Sequence, residues 1–301
     1  MVKQKPMMNL VKLIQDFGSD DKCRAELEAI RWPDGIKCPR CKSEAYRLDN
    51  RQQYECKSRE CRYQFSVTSG TIFHDSHLPL SKWFLAAYMM IESKKGVSAL
   101  QIKRELAIAY QTAWHLCHRI RTAMQQVYPY PPLKGIVEVD ETWIGGKEKG
   151  IGRGNKGKKA IVVGAFQRGG KIVLKVSNSR GRKDLHGFIN ETVHDEAEAI
   201  YTDDWSPYRG IADKNTRHET VNHSAKEYVR GQVHTNGIEN IWNLFKRSVI
   251  GAFHHISVKH LDAYLDELEW RFNNRDNPFL FRDTIRQLCK AEALEYKSLI
   301  A

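Results

Sequence analysis

The stretch Ile136-Val-Glu-Val-Asp140-Glu-Thr-Trp-Ile-Gly145-Gly146 decides how this chain is read. Its apolar and β-branched residues predict a short buried β-strand, with an acid at Asp140 where an apolar side chain would be expected. A buried carboxylate without a partner is costly, so Asp140 needs a cation or a donor. Strand faces alternate, which puts Glu138 on the face of Asp140 and Glu141 on the other.

Outward from this strand the pattern continues as β-segments at 159–167 and 171–177, joined by the hairpin turn Arg168-Gly-Gly170. A helix fits 183–193, a fourth strand 199–203, and Ser206-Pro207 marks the start of another helix. A fifth strand is expected at 219–223. A long helix begins near Gly237 with Ile238, Ile241, Trp242 and Phe245 on one face, and two more helices are expected at 258–272 and 279–296. The order β-β-β-α-β-α-β-α predicts an α/β, ribonuclease-H-like catalytic domain, a mixed five-stranded sheet with helices.

That order brings three acidic stations together: Asp140 on the first strand, Asp203 and Asp204 ending the fourth, and Glu239 on the last core helix. Lys246 lies seven residues after Glu239, about two turns on and nearly on the same side. Carboxylates are the hard oxygen ligands that Mg²⁺ prefers, and two such ions can activate a water or 3′-hydroxyl and neutralise a leaving oxygen at a phosphodiester. Each acid alone has a plainer reading. Asp204 could cap the following helix, and Glu239 with Lys246 could form a solvated helix face.

The amino-terminal half has a different character. Residues 1–30 read as helical, with Leu10, Leu13, Ile14 and Phe17 on one face. Cys38-Pro-Arg-Cys41 and Cys56-Lys-Ser-Arg-Glu-Cys61 follow, separated by fourteen residues. Two close thiolate pairs with a hairpin between them predict one structural, tetrahedral Zn²⁺ in a zinc ribbon, although the second pair is spaced two residues wider than the first. Helices at 80–92, 99–106 and 110–121 form a small helical domain. The last two resemble a helix-turn-helix whose second helix presents Gln111, Thr112, His115, Arg119 and Arg121 to DNA. Tyr128-Pro-Tyr-Pro-Pro-Leu-Lys134 then marks a linker. The expected division is 1–34 helical, 35–72 ribbon, 73–128 helical and DNA-binding, 129–135 linker, 136–255 catalytic and 256–301 carboxy-terminal helices.

Of the 301 residues, 41% are hydrophobic and 28% charged, and Lys+Arg exceed Asp+Glu by 48 − 36 = 12. This balance points to a polyanionic partner. Six basic residues in the glycine-rich loop after Gly145 (Lys147, Lys149, Arg153, Lys156, Lys158 and Lys159) suit sequence-independent phosphate contacts. Arg180, Arg182 and Lys183 form a lesser basic patch. No apolar run approaches the roughly 20 residues of a membrane span, and the start leads into no signal-peptide core. The expectation is therefore a cytoplasmic, nucleoid-associated protein, and the odd count of seven cysteines argues against a disulfide framework.

Three motifs carry a resemblance. They are Ile136-Val-Glu-Val-Asp140-Glu-Thr-Trp-Ile-Gly-Gly-Lys147, Tyr201-Thr-Asp203-Asp-Trp-Ser-Pro-Tyr208 and His234-Thr-Asn-Gly-Ile-Glu239-Asn-Ile-Trp-Asn-Leu-Phe-Lys246-Arg247. Together they resemble bacterial insertion-sequence DDE transposases of the zinc-ribbon, Merlin-related, ISXO2-like type. Thr68-Ser-Gly-Thr-Ile-Phe73, Leu80-Ser-Lys-Trp83, His260 to Glu267 and Arg271-Phe-Asn-Asn-Arg275 extend it over about residues 10–285. The resemblance implies a DNA transposase that binds terminal inverted repeats and carries out metal-dependent cleavage and strand transfer on double-stranded DNA. Asp140, Asp203 and Glu239 would be its acids, holding two Mg²⁺ or Mn²⁺ ions, and Lys246, followed by Arg247, would touch DNA beside them. Family members vary the third ligand, so Asn236 is the alternative to Glu239. A homodimer or higher oligomer on DNA is expected, because two ends must be processed. Two other readings remain, a non-catalytic DNA-binding regulator and a ribonuclease-H-like nuclease without strand transfer.

Overall fold

The computed structural model describes residues 8–48, 51–125, 131–145, 159–212, 216–222, 225, 227 and 229–301. They fall into two compact units that do not follow chain order. The first comprises Met1–Ser93, Val97–Met124 and Asp276–Ala301, and the second Lys94–Gly96 and Gln125–Arg275.

In the first unit, α1 (Leu10–Phe17) and α2 (Asp20–Arg31) start on side-chain caps. Asn9 accepts from the Lys12 amide and Ser19 from the Lys22 amide. A three-stranded antiparallel ribbon follows, β1 (Ala45–Arg47), β2 (Tyr54–Cys56) and β3 (Gln64–Phe65). The apolar α3 (Leu80–Glu92) buries Trp83, Phe84, Ala86, Ala87 and Met90. Next come α4 (Ala99–Leu106), capped by Ser98, and α5 (Tyr110–Met124). Between them Ala107 takes the left-handed conformation, φ 48°, and the Ile108 amide reaches back to Lys103 O at 3.2 Å, which closes the tight turn. The chain returns to this unit at its end with α9 (Leu280–Lys290) and α10 (Tyr296–Ile300). Phe281 of α9 lies 5.9 Å from Phe84, which in turn lies 5.1 Å from Phe17.

The second unit is built on a mixed five-stranded sheet. Its strands are β4 (Ile136–Ile144), β5 (Ala160–Gln167), β6 (Ile172–Ser177), β7 (Ala199–Asp203) and β8 (Arg217–Val221), in the spatial order β6-β5-β4-β7-β8. The pairs β4–β5 and β5–β6 are antiparallel, and β4–β7 and β7–β8 are parallel. One face packs Val137, Val139, Ile161, Val163 and Ile200 against Leu185, Phe188 and Ile189 of α6 (Arg182–Thr192). The other packs Val162, Ile172 and Leu174 against α7 (Asn236–Ser248) and α8 (Leu261–Asn273), through Ile238, Ile241, Trp242, Phe245, Leu265 and Leu268.

Two expected helices differ. Ser206-Pro207 starts only a single 3₁₀ turn, Ser206–Tyr208. The carboxy-terminal helices part company, α8 with the sheet and α9 and α10 with the first unit. Along the outer strand β6, α8 supplies what a sixth strand would. Asn273 accepts from the Ile172 amide and donates to Ile172 O, both at 2.8 Å, and Glu269 accepts from the Leu174 amide at 3.1 Å.

Candidate functional site

The four ribbon cysteines converge. The Sγ atoms of Cys38, Cys41, Cys56 and Cys61 all lie within 4.8 Å of one another, with Cys38–Cys61 at 3.8 Å and Cys41–Cys56 at 3.3 Å. Tetrahedral zinc–thiolate bonds of about 2.3 Å put sulfurs about 3.8 Å apart, so the donor set fits one structural zinc. Each knuckle closes on its own backbone. Lys42 N donates to Cys38 O at 2.9 Å and Arg62 N to Ser58 O at 3.0 Å, with both residues at positive φ. That second turn absorbs the wider cysteine spacing.

On the sheet, the parallel ladder between β4 and β7 pairs Ile136 with Ala199, Val137 with Ile200 and Glu138 with Tyr201. Counting on two residues puts Asp140 level with Asp203, just past the last pair. Residues level on parallel neighbours point to one face. The proximity shows electrostatically. The Asp140 carboxyl is pushed up to about 7, first by burial and then by the charges of Glu141 and Asp203. Its Oδ2 accepts from Trp242 Nε1 at 3.0 Å. Two oxygen donors held together at this cost in repulsion are a donor set suited to a hard divalent cation.

The flanking acids have other work. Glu138, buried, accepts from Arg168 Nε at 2.7 Å and from the Gly237 and Ile238 amides at 2.7 and 3.0 Å, capping the start of α7. Glu141 faces the opposite side, paired with Arg180 and accepting from Tyr208 Oη at 2.6 Å. Burial, followed by the Glu141 charge, raises the Tyr208 phenol well above its ordinary value. Asp204 is drawn toward β8, where it accepts from Asn222 Nδ2 at 3.2 Å; it does not cap the turn that follows.

Along α7, Glu138 meets residues 237 and 238 and Asp140 meets Trp242. Two residues of strand and four of helix each advance about 6 to 7 Å, so helix and strand run in step. Glu239 lies between these anchors. Its carboxylate is turned back onto Thr235, whose Oγ1 donates to it at 2.9 Å. Among the described residues the four cysteines are the only group of three or more converging His, Cys, Asp or Glu side chains. Asp140 and Asp203 are thus brought together, while Glu239 stays with Thr235. Asn236 is exposed at the first position of α7, and Lys246 and Arg247 are exposed in its last turn.

The expected DNA-reading face of α5 needs correction. Gln111 and Thr112 are exposed at its start. His115 is half-buried, its Nε2 2.9 Å from Leu294 O, and burial lowers its pKa. Arg119 and Arg121 are buried. Arg119 donates to His74 O at 2.5 Å and lies 5.0 Å over the Trp83 ring; burial lowers its pKa to about 10. Of the basic loop, Lys159 is exposed, and Lys147, Lys149, Arg153, Lys156 and Lys158 lie outside the described residues.

The roles of Arg168, Trp242 and two glycines at the site escaped the sequence reading. Gly164 pairs with Asp140 across β4–β5, and a Cβ there would come within 2.6 Å of the Trp242 ring. A Cβ on Gly237 would strike the Phe166 ring and come within 2.7 Å of Glu138 Oε2. A glycine inside an apolar strand was the available signal.

Comparison with known proteins agrees with this architecture. Residues 132–273, from just before β4 to the end of α8, match the ISXO2-like transposase domain, and residues 18–64 match the transposase zinc-ribbon domain. Both its zinc-ribbon segment and its sheet are thus similar to those of ISXO2-like transposases. An uncharacterized protein in transposable element ISH50 of Halobacterium salinarum is 29% identical over 281 residues, spanning 86% of this chain and 92% of that protein. An uncharacterized transposase-like protein of Haemophilus influenzae is 36% identical over 77 residues, 26% of this chain and 61% of that protein. The transposase-domain match ends at Asn273, the residue that seals β6. Among the described residues no helix is long and apolar enough to cross a membrane.

Proposed function

We propose that this protein is an active DNA transposase that binds the terminal inverted repeats of its element, cleaves at the element ends and joins the 3′-hydroxyls to target DNA. The observation that carries the reading is the level placement of Asp140 and Asp203 at the point where the β4–β7 ladder ends. Asp140 and Asp203, with Glu239 or alternatively Asn236, would hold Mg²⁺ or Mn²⁺, which supplies nucleophile activation and charge neutralisation at the leaving oxygen.

The protein's own groups prepare that chemistry. Trp242 fixes one Asp140 oxygen. Glu138 sets where α7 begins, and so where Asn236 and Glu239 stand. Lys246, Arg247 and Lys159, all exposed, are suited to phosphate contacts. Gln111 and Thr112 are the base-reading candidates of α5, the ribbon being held rigid by zinc.

The test is a cleavage and joining assay on a duplex carrying the chromosomal sequence that flanks the gene, with Mn²⁺ and a target plasmid. Cut and joined products that vanish in Asp140→Ala and Asp203→Ala support the reading. Binding of the flanking duplex without any cut product favours a regulator, and cutting without joining favours a nuclease.

A further inference from the structure

Arg168 sits at the turn that ends β5, and every nitrogen of its guanidinium is engaged. Nε donates to Glu138 Oε1 at 2.7 Å, and Nη1 to Gln232 O at 2.8 Å. Nη2 donates to His234 O at 3.0 Å and lies 2.9 Å from His234 Nδ1. A guanidinium has only donors, so His234 Nδ1 accepts and the His234 ring proton sits on Nε2. The guanidinium also lies 4.9 Å over the ring of Tyr201, which pairs with Glu138. On the far side of Glu138, Oε2 takes the Gly237 and Ile238 amides. A single side chain therefore ties β4, β7 and the 232–234 segment to the first turn of α7.

We propose that Arg168 is a positioning residue for the third metal ligand: through Glu138 and His234 it fixes the start of α7, and with it Asn236 and Glu239, relative to Asp140. This rests on the metal site proposed above. Arg168 contacts Glu138, Gln232, His234 and Tyr201 rather than an acid of that site, so its effect is exerted through backbone placement. Lysine keeps the charge but cannot reach Glu138, Gln232 and His234 at once.

The test uses the full-length protein and Mn²⁺ alone, titrated calorimetrically, with thermal melting to confirm folding. Asp140→Asn should abolish binding at this site. Arg168→Lys should weaken it roughly tenfold or more, the range seen when an outer partner of a metal ligand is lost. Arg217→Ala, which removes an exposed charge on β8, should bind as wild type does. His234→Ala leaves the Glu138–Arg168 pair intact and should weaken binding several-fold, so it reads the same network if Arg168→Lys does not fold. Wild-type Mn²⁺ affinity in folded Arg168→Lys, or in His234→Ala where the lysine variant does not fold, overturns the proposal. Unchanged binding in Asp140→Asn instead overturns the metal site itself.

Discussion

Trp242 donates from its indole Nε1 to Oδ2 of Asp140 at 3.0 Å, and the ring fits only because the residue opposite Asp140 is Gly164. Helix α7 thus reaches the acid of β4 through a gap left by β5. Adding one methyl group at that gap should separate support of the acid from the acid itself. Gly164→Ala is expected to cost about 1–3 kcal/mol of stability, as overpacking does, and to lower the cleavage rate at least tenfold in protein that remains folded. Melting curves and single-turnover cleavage would check both. An unaltered rate would mean that the indole contact is dispensable.

Without metal, the paired aspartates oppose folding. Burial, then the charges of Glu141 and Asp203, push Asp140 up to about 7, so removing its charge relieves both the burial cost and the repulsion. Asp140→Asn is expected to melt at a higher temperature than wild type in EDTA while losing Mn²⁺-dependent cleavage. A lower melting temperature in EDTA would show that its hydrogen bond outweighs the repulsion.

Zinc removal should act on the first unit. The purified protein is expected to hold one zinc per chain, with Cys38, Cys41, Cys56 and Cys61 protected from alkylation until a chelator is added. Cys56→Ser should lose the metal and much of the affinity for flanking DNA. Native mass spectrometry and binding titrations would measure these, and a zinc-free protein of full affinity would count against the ribbon's proposed role.

Stability should fall as pH rises through neutrality. Burial, then Asp262, pushes Asp266 up to about 7; burial pushes Glu269 up to about 8 against the pull of the Leu174 amide, with Asp266 adding to the rise. Unfolded, these groups titrate near about 4. The folded state therefore holds extra protons between about pH 4 and 8, so the contribution is fully present below about pH 4, declines across that window and is gone once pH has risen through 7 and 8. Glu269→Gln should flatten the decline and melt a few degrees above wild type at pH 9, about what 1 kcal/mol yields in a domain of this size. A slope identical to wild type would exclude Glu269 as a source.

For α5, loss of DNA affinity and loss of stability should separate by residue. Gln111→Ala and Thr112→Ala are expected to weaken binding with little change in melting. Arg119→Ala should lower the melting temperature, because it removes the donor to His74 O and the packing against Trp83. Fluorescence anisotropy beside calorimetry would distinguish them.

The five strands and the acids at Asp140 and Asp203 were legible because strand periodicity is local and an acid in an apolar strand breaks it. The burial of Arg119 was not, since helical spacing identifies a polar face without telling what covers it; here the covering groups, His74 and Trp83, come from elsewhere in the chain. Glu138 likewise looked equivalent to Asp140 in sequence. What separates them is α7, a hundred residues on, whose first amides fall on one acid and whose indole falls on the other. Ser206-Pro207 carried a helix-start signal, but only a single 3₁₀ turn, Ser206–Tyr208, forms there.

The seal that Asn273 and Glu269 place along β6 has a consequence for assembly. Strand addition is the simplest way for two sheets to fuse into one, and on this flank the amide and carbonyl of Ile172 and the amide of Leu174 are already taken. Two copies that met on this flank could not merge their sheets. Any contact between copies on this flank would have to run through helices or loops.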